Sequence, residues 1–533
     1  MSKFRIGLSL VLLGGLLCGW TCVAAEPAKP NLILIFADDL GYGDVGCYGG
    51  KLVPTPAIDS LARDGVRCTD GYVTAPVCAP SRCGIMTGAY NQRFGMQWND
   101  DRKKYSLGRH KLLPQALQAA GYVTGHIGKW NIPVDVKDCF DDVYDLIDWE
   151  ADYFPDKDGH YHGVDNPAEI GSSKVQGVWG PEKPGDEYLT DRLGRHACEF
   201  IEKRGRGDKP FFLYLAFNAV HSPWHGKKEV AARYAHLTPP LNFYAAMVAS
   251  LDENIGRVLA KLKAAGLEEN TLVAFTADNG PALGGSRVVV WPEHWPKEIL
   301  VGSAGPLNGH KAKFLEGGIR EAFLLRWPAR LKAGEVYRQP VSTMDLYPTF
   351  CAAGSAPVPD GTTLNGVNLL PHLRGEKSGA PHDILFWKNG EEGAVRQGDW
   401  KLLLSRLQPK LQLFNLADDL GEKRDLAAEK PELAAKLHKA WLDWSATLPP
   451  RANPPSAKAG KGKQGAGAGK SAQNRGVLFE TKDKNRDGKL SREEFMANQL
   501  DPEPAKKRFE QWDADKDGHL SREEFVNMGG KTK

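Results

Sequence analysis

The segment NLILIFADDL, residues 31–40, is apolar without interruption from Leu32 to Ala37 and then turns acidic. A strand with one face in water alternates apolar and polar residues. A strand that is apolar at every position has both faces covered. PFFLYLAFNAVHSP (residues 210–223) and TLVAFTADNG (residues 271–280) repeat the design. Between them, FYAAMVASLDENIGRVLAKLKAAG (residues 243–266) places apolar residues at helical spacing and ends in glycine, the pattern of a long helix with its stop signal. Strands of this kind alternating with helices predict an α/β fold, a largely parallel sheet with helices on both faces. Each strand runs out into polar chemistry: Asp38 and Asp39 after the first, His221 after the second, Asp278 and Asn279 after the third. Open α/β sheets bind ligands beyond the carboxyl ends of their strands. One Asp or Asn there would be read as a turn or helix cap; three strands delivering oxygens and an imidazole to one edge predict a site.

The chain has 533 residues, 41% of them hydrophobic, enough for a large core and more than one domain. Its formal net charge of +3 gives no global basic field, so nucleic acid is not an expected partner. At the start, Lys3 and Arg5 precede an apolar run from Ile6 to Leu17, and Val23 to Ala25 offer a small-residue cleavage site. Residues 1–25 therefore read as a signal peptide and the protein as exported, periplasmic or extracellular. No later segment is long and apolar enough for a transmembrane span. Of nine cysteines, Cys18 and Cys22 leave with the leader, and seven remain. Export permits disulfides, but an odd number leaves one thiol over, with Cys78 the candidate.

Residues 451–476 are rich in Lys, Gly, Ala and Ser and hold no side chain suited to a core, so they read as a flexible linker. Beyond it, DKNRDGKLSREEF and DADKDGHLSREEF both match the EF-hand calcium loop. The first offers Asp483, Asn485, Asp487, the carbonyl of Lys489, Ser491 through water, and bidentate Glu494. The second offers Asp513, Asp515, Asp517, the carbonyl of His519, Ser521 and Glu524. Gly488 and Gly518 make the turn at the sixth position. Residues 477–533 are thus expected to be an all-α EF-hand pair binding two Ca²⁺.

The remaining signal is CAPSRCGIMTG, beginning at Cys78. With FADD at residue 36, GKW at 128, HSP at 221, ADNG at 277 and KAKFLEGGIR at 311, it resembles the formylglycine-dependent sulfatase family, the alkaline-phosphatase-like branch in which C-x-P-S-R marks a cysteine for oxidation. The later segments STMDLYPTF, VRQGDWKLL and LFNLADDLGEKRDLA fit as well, so the resemblance runs from residue 30 to about 445. It implies an alkaline-phosphatase-like mixed sheet over residues 26–450 with a smaller C-terminal α+β subdomain from about residue 340. It also implies a modifying enzyme that converts Cys78 to formylglycine, and a sulfate ester, here a sulfated carbohydrate, as substrate.

The chemistry is consistent with that. A thiol attacking sulfur would leave a stable thiosulfate ester, whereas a hydrated aldehyde has one hydroxyl for attack and a second through which sulfate can be expelled. The resemblance assigns Asp38, Asp39, Asp278, Asn279 and an oxygen of modified Cys78 to one divalent cation. Hard oxygen donors suit Ca²⁺ or Mg²⁺ and disfavour zinc. It gives Arg82 the task of holding the hydrate, Lys129 and Lys311 that of neutralising sulfate oxygens, and His221 that of protonating the departing alkoxide. One position departs from the family pattern: GKW is followed by Asn131 where the family carries histidine, and an amide cannot be a base. His126 and His310 are the nearby imidazoles in sequence. Alternatives on the same residues are a phosphodiesterase or phosphonate hydrolase, and a catalytically silent protein that binds sulfated glycans.

Overall fold

The computed structural model describes residues 28–155, 160, 161, 163, 164, 187–284, 299–406 and 411–453, and in the C-terminal region 479, 482, 483, 485, 487–496, 506 and 509–528. The expected signal peptide and most of the expected linker lie outside the described residues. The chain divides into two compact units, residues 1–453 and 454–533.

In the first unit the strands are β1 (Asn31–Ala37), β2 (Val66–Tyr72), β3 (Val123–Lys129), β4 (Asp142–Ile147), β5 (Phe211–Ala216), β6 (Thr271–Ala277), a short ribbon of β7 (Ala282–Leu283) and β8 (Leu300–Val301), then β9 (Arg320–Arg326), β10 (Glu335–Tyr337) and β11 (Val341–Ser342). The main sheet has the order β10-β2-β9-β6-β1-β5-β3-β4, with β11 also on β2. The three apolar runs are neighbours at its centre, β1 paired in parallel with β5 on one side and β6 on the other. The sheet is mixed because β9 runs antiparallel to both β2 and β6. That reversal matters for the site: β9 begins at the edge where its neighbours end, so the residues leading into it, Lys311 among them, arrive beside Asp38 and Asp278.

The helices are α1 (Pro56–Arg63), α2 (Cys78–Thr87), α3 (Leu113–Ala119), α4 (Leu189–Gly205), α5 (Lys228–Ala231), α6 (Leu241–Ala264), α7 (Glu316–Ile319), α8 (Leu346–Ala353), α9 (Leu370–Leu373) and α10 (Pro431–Ala446). The long helix expected at residues 243–266 is α6, which ends just before Gly266 at φ +69°. β1 shows why its sequence had to be apolar throughout. Ile33, Ile35 and Ala37 enter one core with residues of α1, α4 and α6, while Leu32, Leu34 and Phe36 enter a second with α3 and α8. Alternate side chains point to opposite faces of a sheet, so a central strand serves two cores.

A four-stranded antiparallel sheet, β12 (Leu385–Asn389), β13 (Glu392–Gln397), β14 (Trp400–Leu404) and β15 (Leu411–Asn415), follows and carries α10. Its core includes Trp387, Leu402, Leu437 and Trp441. The segment from residue 340, assigned from sequence to this smaller subdomain, begins instead within the main body: β11 pairs with β2, and Tyr347 and Phe350 of α8 belong to the second core. Arg451, the expected first residue of the linker, is also fastened to the main body. Its Nε donates to both carboxylate oxygens of Asp101, at 2.8 and 2.9 Å, and Ala452 and Asn453 donate backbone N–H groups to Gly95 and Asp101.

In the second unit β16 (Lys489–Ser491) and β17 (His519–Ser521) pair antiparallel with Leu490 opposite Leu520. These leucines pack with Phe479, Phe495, Phe509 and Phe525. Each loop closes around its own acids. Asp483 accepts from the N–H of Gly488 at 2.9 Å, and Asp513 from that of Gly518 at 3.0 Å. Both glycines have φ near +80°, a region that disfavours any side chain. Asp487 and Asp517 accept from the N–H of Lys489 and His519. Asn485 and Asp515 take the N–H of Asp487 and Asp517, while Glu494 and Glu524 hold Ser491 and Ser521. Oxygens of Asp513, Asp515 and Glu524 lie within 4.8 Å of one another.

Candidate active site

The ends of β1, β5 and β6 are sewn together by backbone hydrogen bonds: Asp38 N–H to Ala219 O at 3.0 Å, Val220 N–H to Asp38 O at 2.7 Å, and Asp278 N–H to Ala37 O at 3.1 Å. This fixes where the acidic side chains stand. Asp39, in the left-handed region at φ +60°, turns its N–H onto Asp278 Oδ1 at 3.2 Å. Asn279 Nδ2 donates to Asp39 Oδ1 at 2.7 Å, which leaves Asn279 Oδ1 buried with no hydrogen-bond partner. Two motif glycines are required here by close approach. A Cβ on Gly280 would lie 1.8 Å from Gly317 O, and one on Gly318 2.1 Å from Lys313 O.

Cys78 is the first residue of α2, after Val77 in extended conformation. Pro80 is tolerated two residues later because the first turn of a helix needs no N–H donors from its own ladder. The Cys78 thiol points at Asp38 Oδ1, 3.7 Å away. Ligand atoms of Asp38, Asp39, Cys78 and His221 all lie within 4.8 Å of one another. Burial pushes the thiol up to about 12, against the opposing pull of Lys129 and Lys311, so at neutral pH it is protonated and a poor nucleophile.

Three cations, one of them from α2 itself, meet the carboxylates. Lys129, the last residue of β3, pairs with Asp38 Oδ2. Lys311 Nζ sits 2.7 and 2.9 Å from the oxygens of Asp39. Arg82, one turn after Cys78, reaches Asp278 at 3.0 Å and Asp38 at 3.4 Å, while its other Nη donates to Lys129 O and to the Tyr214 hydroxyl. Arg82 thus braces the carboxylates and the end of β3 from one turn beyond Cys78. Burial would raise Asp38, but Lys129, with His221, Arg82 and Lys311, holds it far below the usual carboxylate range. Asp278 moves the other way, raised by burial and then by the neighbouring Asp38. His221 donates Nδ1–H to its neighbour's carbonyl, Ser222 O, at 2.6 Å, which turns Nε2 toward Asp39 Oδ2, 3.7 Å away. Burial first, then Lys129 and Lys311, keep this imidazole below its ordinary pKa and so neutral.

The set of Asp38, Asp39, Asp278 and the unpartnered Oδ1 of Asn279 fits a hard divalent cation. All are buried oxygens, Asp38 and Asp39 stand in the cluster with Cys78 and His221, Asp39 N–H ties Asp278 to them, and an amide oxygen with no donor is what a cation would satisfy.

A family model for sulfatases matches residues 30–355, the span that contains every one of these groups. The chain belongs to the sulfatase family. It is a sulfuric ester hydrolase. An EF-hand model matches residues 477–497 and 505–528. Human arylsulfatase A is 31% identical over 486 residues, covering 80% of this chain and 90% of the relative. Mouse steryl-sulfatase is 29% identical, covering 78% and 83%. Among solved structures, Ps i-CgsB in complex with k-i-k-neocarrahexaose is 31% identical with a TM-score of 0.69, covering 81% of this chain and 96% of that one.

Other expectations resolve around this sulfatase centre. Cys78 is a free thiol, as expected, and among the described residues the other six cysteines are free as well, so no disulfide set surrounds it. His126 is a core residue among the rings of Trp130, Phe140 and Tyr214, and burial lowers it to about 3. His310 turns Nδ1 onto Lys311 O at 2.8 Å. Asn131 is fully buried at φ +54°, its Oδ1 accepting from Arg102 Nη1 at 3.1 Å, and Arg102 also binds Asp148 at 2.9 Å. Because a guanidinium only donates, Arg102 fixes which way this amide faces.

Residues not anticipated from sequence are Tyr214 and a buried cluster behind Lys311. Lys401 Nζ lies 2.8 Å from both Glu316 and Glu422, and Glu316 N–H donates to Glu422 at 2.7 Å. The signals existed: Tyr214 is the one hydroxyl in FFLYLAF, and Glu316 and Lys401 stand in KAKFLEGGIR and VRQGDWKLL. In sequence they are far apart, and nothing local says they meet. Among the described residues no helix is long and apolar enough to cross a membrane.

Proposed function

We propose that this sulfatase is exported and hydrolyses a sulfate monoester on a sulfated carbohydrate, using a formylglycine made from Cys78. The observation that carries the reading is the convergence of Cys78, Asp38, Asp39 and His221 within 4.8 Å at the head of α2, with the thiol itself held protonated. A hydrated aldehyde at residue 78 supplies a hydroxyl nucleophile and a second hydroxyl through which the enzyme is regenerated. Asp38, Asp39, Asp278 and Asn279 would hold a Ca²⁺ or Mg²⁺ ion, which would supply Lewis acidity.

The chain's own groups do the rest. Lys129 and Lys311 bring positive charge to where sulfate oxygens would lie, and both side chains come from rigid strand ends or a packed loop, so the charge is in place before substrate arrives. Arg82 bridges Asp38 and Asp278 and offsets part of their mutual repulsion. His221, held by Ser222 O, presents Nε2 toward the reacting groups. A bound sulfate offsets the lysine charges that depress it, which raises its proton affinity and equips it to protonate the departing alkoxide. The carbohydrate assignment is supported by the likeness to Ps i-CgsB, which was solved with neocarrahexaose. The EF-hand pair is read as two Ca²⁺ sites.

Mass spectrometry of the peptide containing Cys78, after co-expression with a formylglycine-generating enzyme, tests the mechanism. The expected product is the lighter aldehyde. A peptide that stays cysteine while the protein turns over an aryl sulfate refutes the formylglycine route.

A further inference from the structure

At the opposite edge of the main sheet, where the parallel strands begin, two clefts of about 480 and 540 Å³ lie side by side. The start of β2 at Val66 and strand β10 wall the first, and Pro30 and Asn270, just before β1 and β6, wall the second. Arg330 and Arg374 line both, so the two clefts share these side chains. Lys332 and His372 add to the first and Lys29 to the second.

Their partners leave charge to spare. Lys332 is paired with Glu335, and Lys29 Nζ donates to Ala120 O at 2.9 Å. Arg374 lies over the Trp327 ring at 5.8 Å and has a carboxylate no nearer than Glu376 at 3.9 Å. Arg330 is exposed, and among the described residues its guanidinium has no carboxylate partner. Two arginines offering planar, donor-only groups over adjoining clefts match the geometry of sulfate and carboxylate.

We propose that this double cleft is a second binding site, for the anionic groups of a sulfated glycan chain. It rests on the sulfatase reading only in choosing sulfated glycans among polyanions. A seven-residue strand spans roughly 23 Å, so the cleft and the catalytic edge are separated by at least that distance. A short oligosaccharide cannot occupy both. The cleft therefore anchors the enzyme to a polymer while the catalytic edge works on another stretch or another chain, a gain through effective concentration.

The test uses full-length protein carrying Cys78→Ala, so that binding is read without turnover and a failure of the catalytic reading does not enter. Dextran sulfate is the probe, at 0.15 M salt as a working condition of physiological strength. Arg330→Glu with Arg374→Glu is expected to weaken binding about tenfold, the equivalent of about 1.4 kcal/mol. The charge-matched pair Lys436→Glu with Lys439→Glu on α10 should change it less than about twofold, as surface charges outside a site do. With Cys78 intact, the cleft variant should keep its turnover of a small aryl sulfate. Equal losses in the two charge-reversal pairs would overturn the site. Single-stranded DNA of matched charge binding as tightly as dextran sulfate, and losing as much in the cleft variant, would overturn its assignment to glycans.

Discussion

Arg451 closes on Asp101 with Nε 2.8 and 2.9 Å from its two oxygens, and Asp101 has no exposure to solvent. The catalytic unit therefore ends after this pair, at Asn453, and not before it. A chain cut after Asn453 should keep full turnover of a small aryl sulfate. A chain cut before Arg451 leaves a buried carboxylate with only the N–H groups of Gln97 and Trp98, and should lose about 1–3 kcal/mol of stability. Thermal unfolding of the two truncations decides this; equal melting temperatures would show that Arg451 is dispensable.

Cys78→Ala should abolish sulfate release while shifting Tm by less than about 3 °C, because a small buried side chain is exchanged for a slightly smaller one in a large domain. Near-normal turnover by this variant would rule out modified Cys78 as the nucleophile.

Asn131→His tests the departure from the family pattern. Arg102, 3.1 Å from the present amide oxygen, would keep an imidazole there unprotonated and able to accept a proton. If the missing base limits turnover, kcat should rise about tenfold or more with KM nearly constant, within the range of general-base catalysis. An unchanged kcat means that another group already takes the proton.

Asp44 supplies a pH signature away from the catalytic groups. Its Oδ2 accepts from Gly41 N–H, Ser303 N–H and Tyr244 OH, yet burial pushes its pKa up to about 6. The folded pKa is above the unfolded value, so the contribution to stability is complete below about pH 4 and is lost as pH rises through 6. Asp44→Asn keeps the acceptor and removes the titration. Between pH 4 and 7 its Tm should fall less than that of the parent; parallel curves would refute the raised pKa.

The tail should respond to calcium by itself. Its acids already accept loop N–H groups, but those of the second loop crowd within 4.8 Å and repel one another without a cation. Circular dichroism of residues 454–533 should show helix gained with Ca²⁺ and lost on chelation. Unchanged helix content with chelator would mean the pair folds without the ion.

Much of the site was legible because each strand carries its own polar end: the residues after β1, β5 and β6 needed only adjacency to become a cluster. The motif at Cys78 added the residue that the fold brings to Asp38. The direction of β9 was not legible, since REAFLLR, fully buried, has the charges Arg320 and Glu321 where an interior strand should be apolar. Nor were the partners of Lys129 and Lys311, whose expected role toward an anion gave no hint that they would seat on Asp38 and Asp39. Pairings such as Lys401 with Glu316, or Arg451 with Asp101, join residues that only the folded chain makes neighbours. The composition that marked the linker was read a few residues too early for the same reason, because an arginine beside prolines and glycines looks solvated until its carboxylate is known.

The reversed direction of β9 has a bearing on how this enzyme can diversify. Asn279 and Lys311 both stand at the catalytic edge, so the chain leaves the centre after one and returns to it before the other, and among the described residues between them no strand joins the main sheet. Val301, Ala304 and Leu307 of this stretch belong to the first core, so changes that keep these anchors alter what surrounds the reacting groups while the two cores keep their layers. Selectivity and folding are carried by different positions within one stretch, and new substrates can be acquired where its anchoring residues are kept.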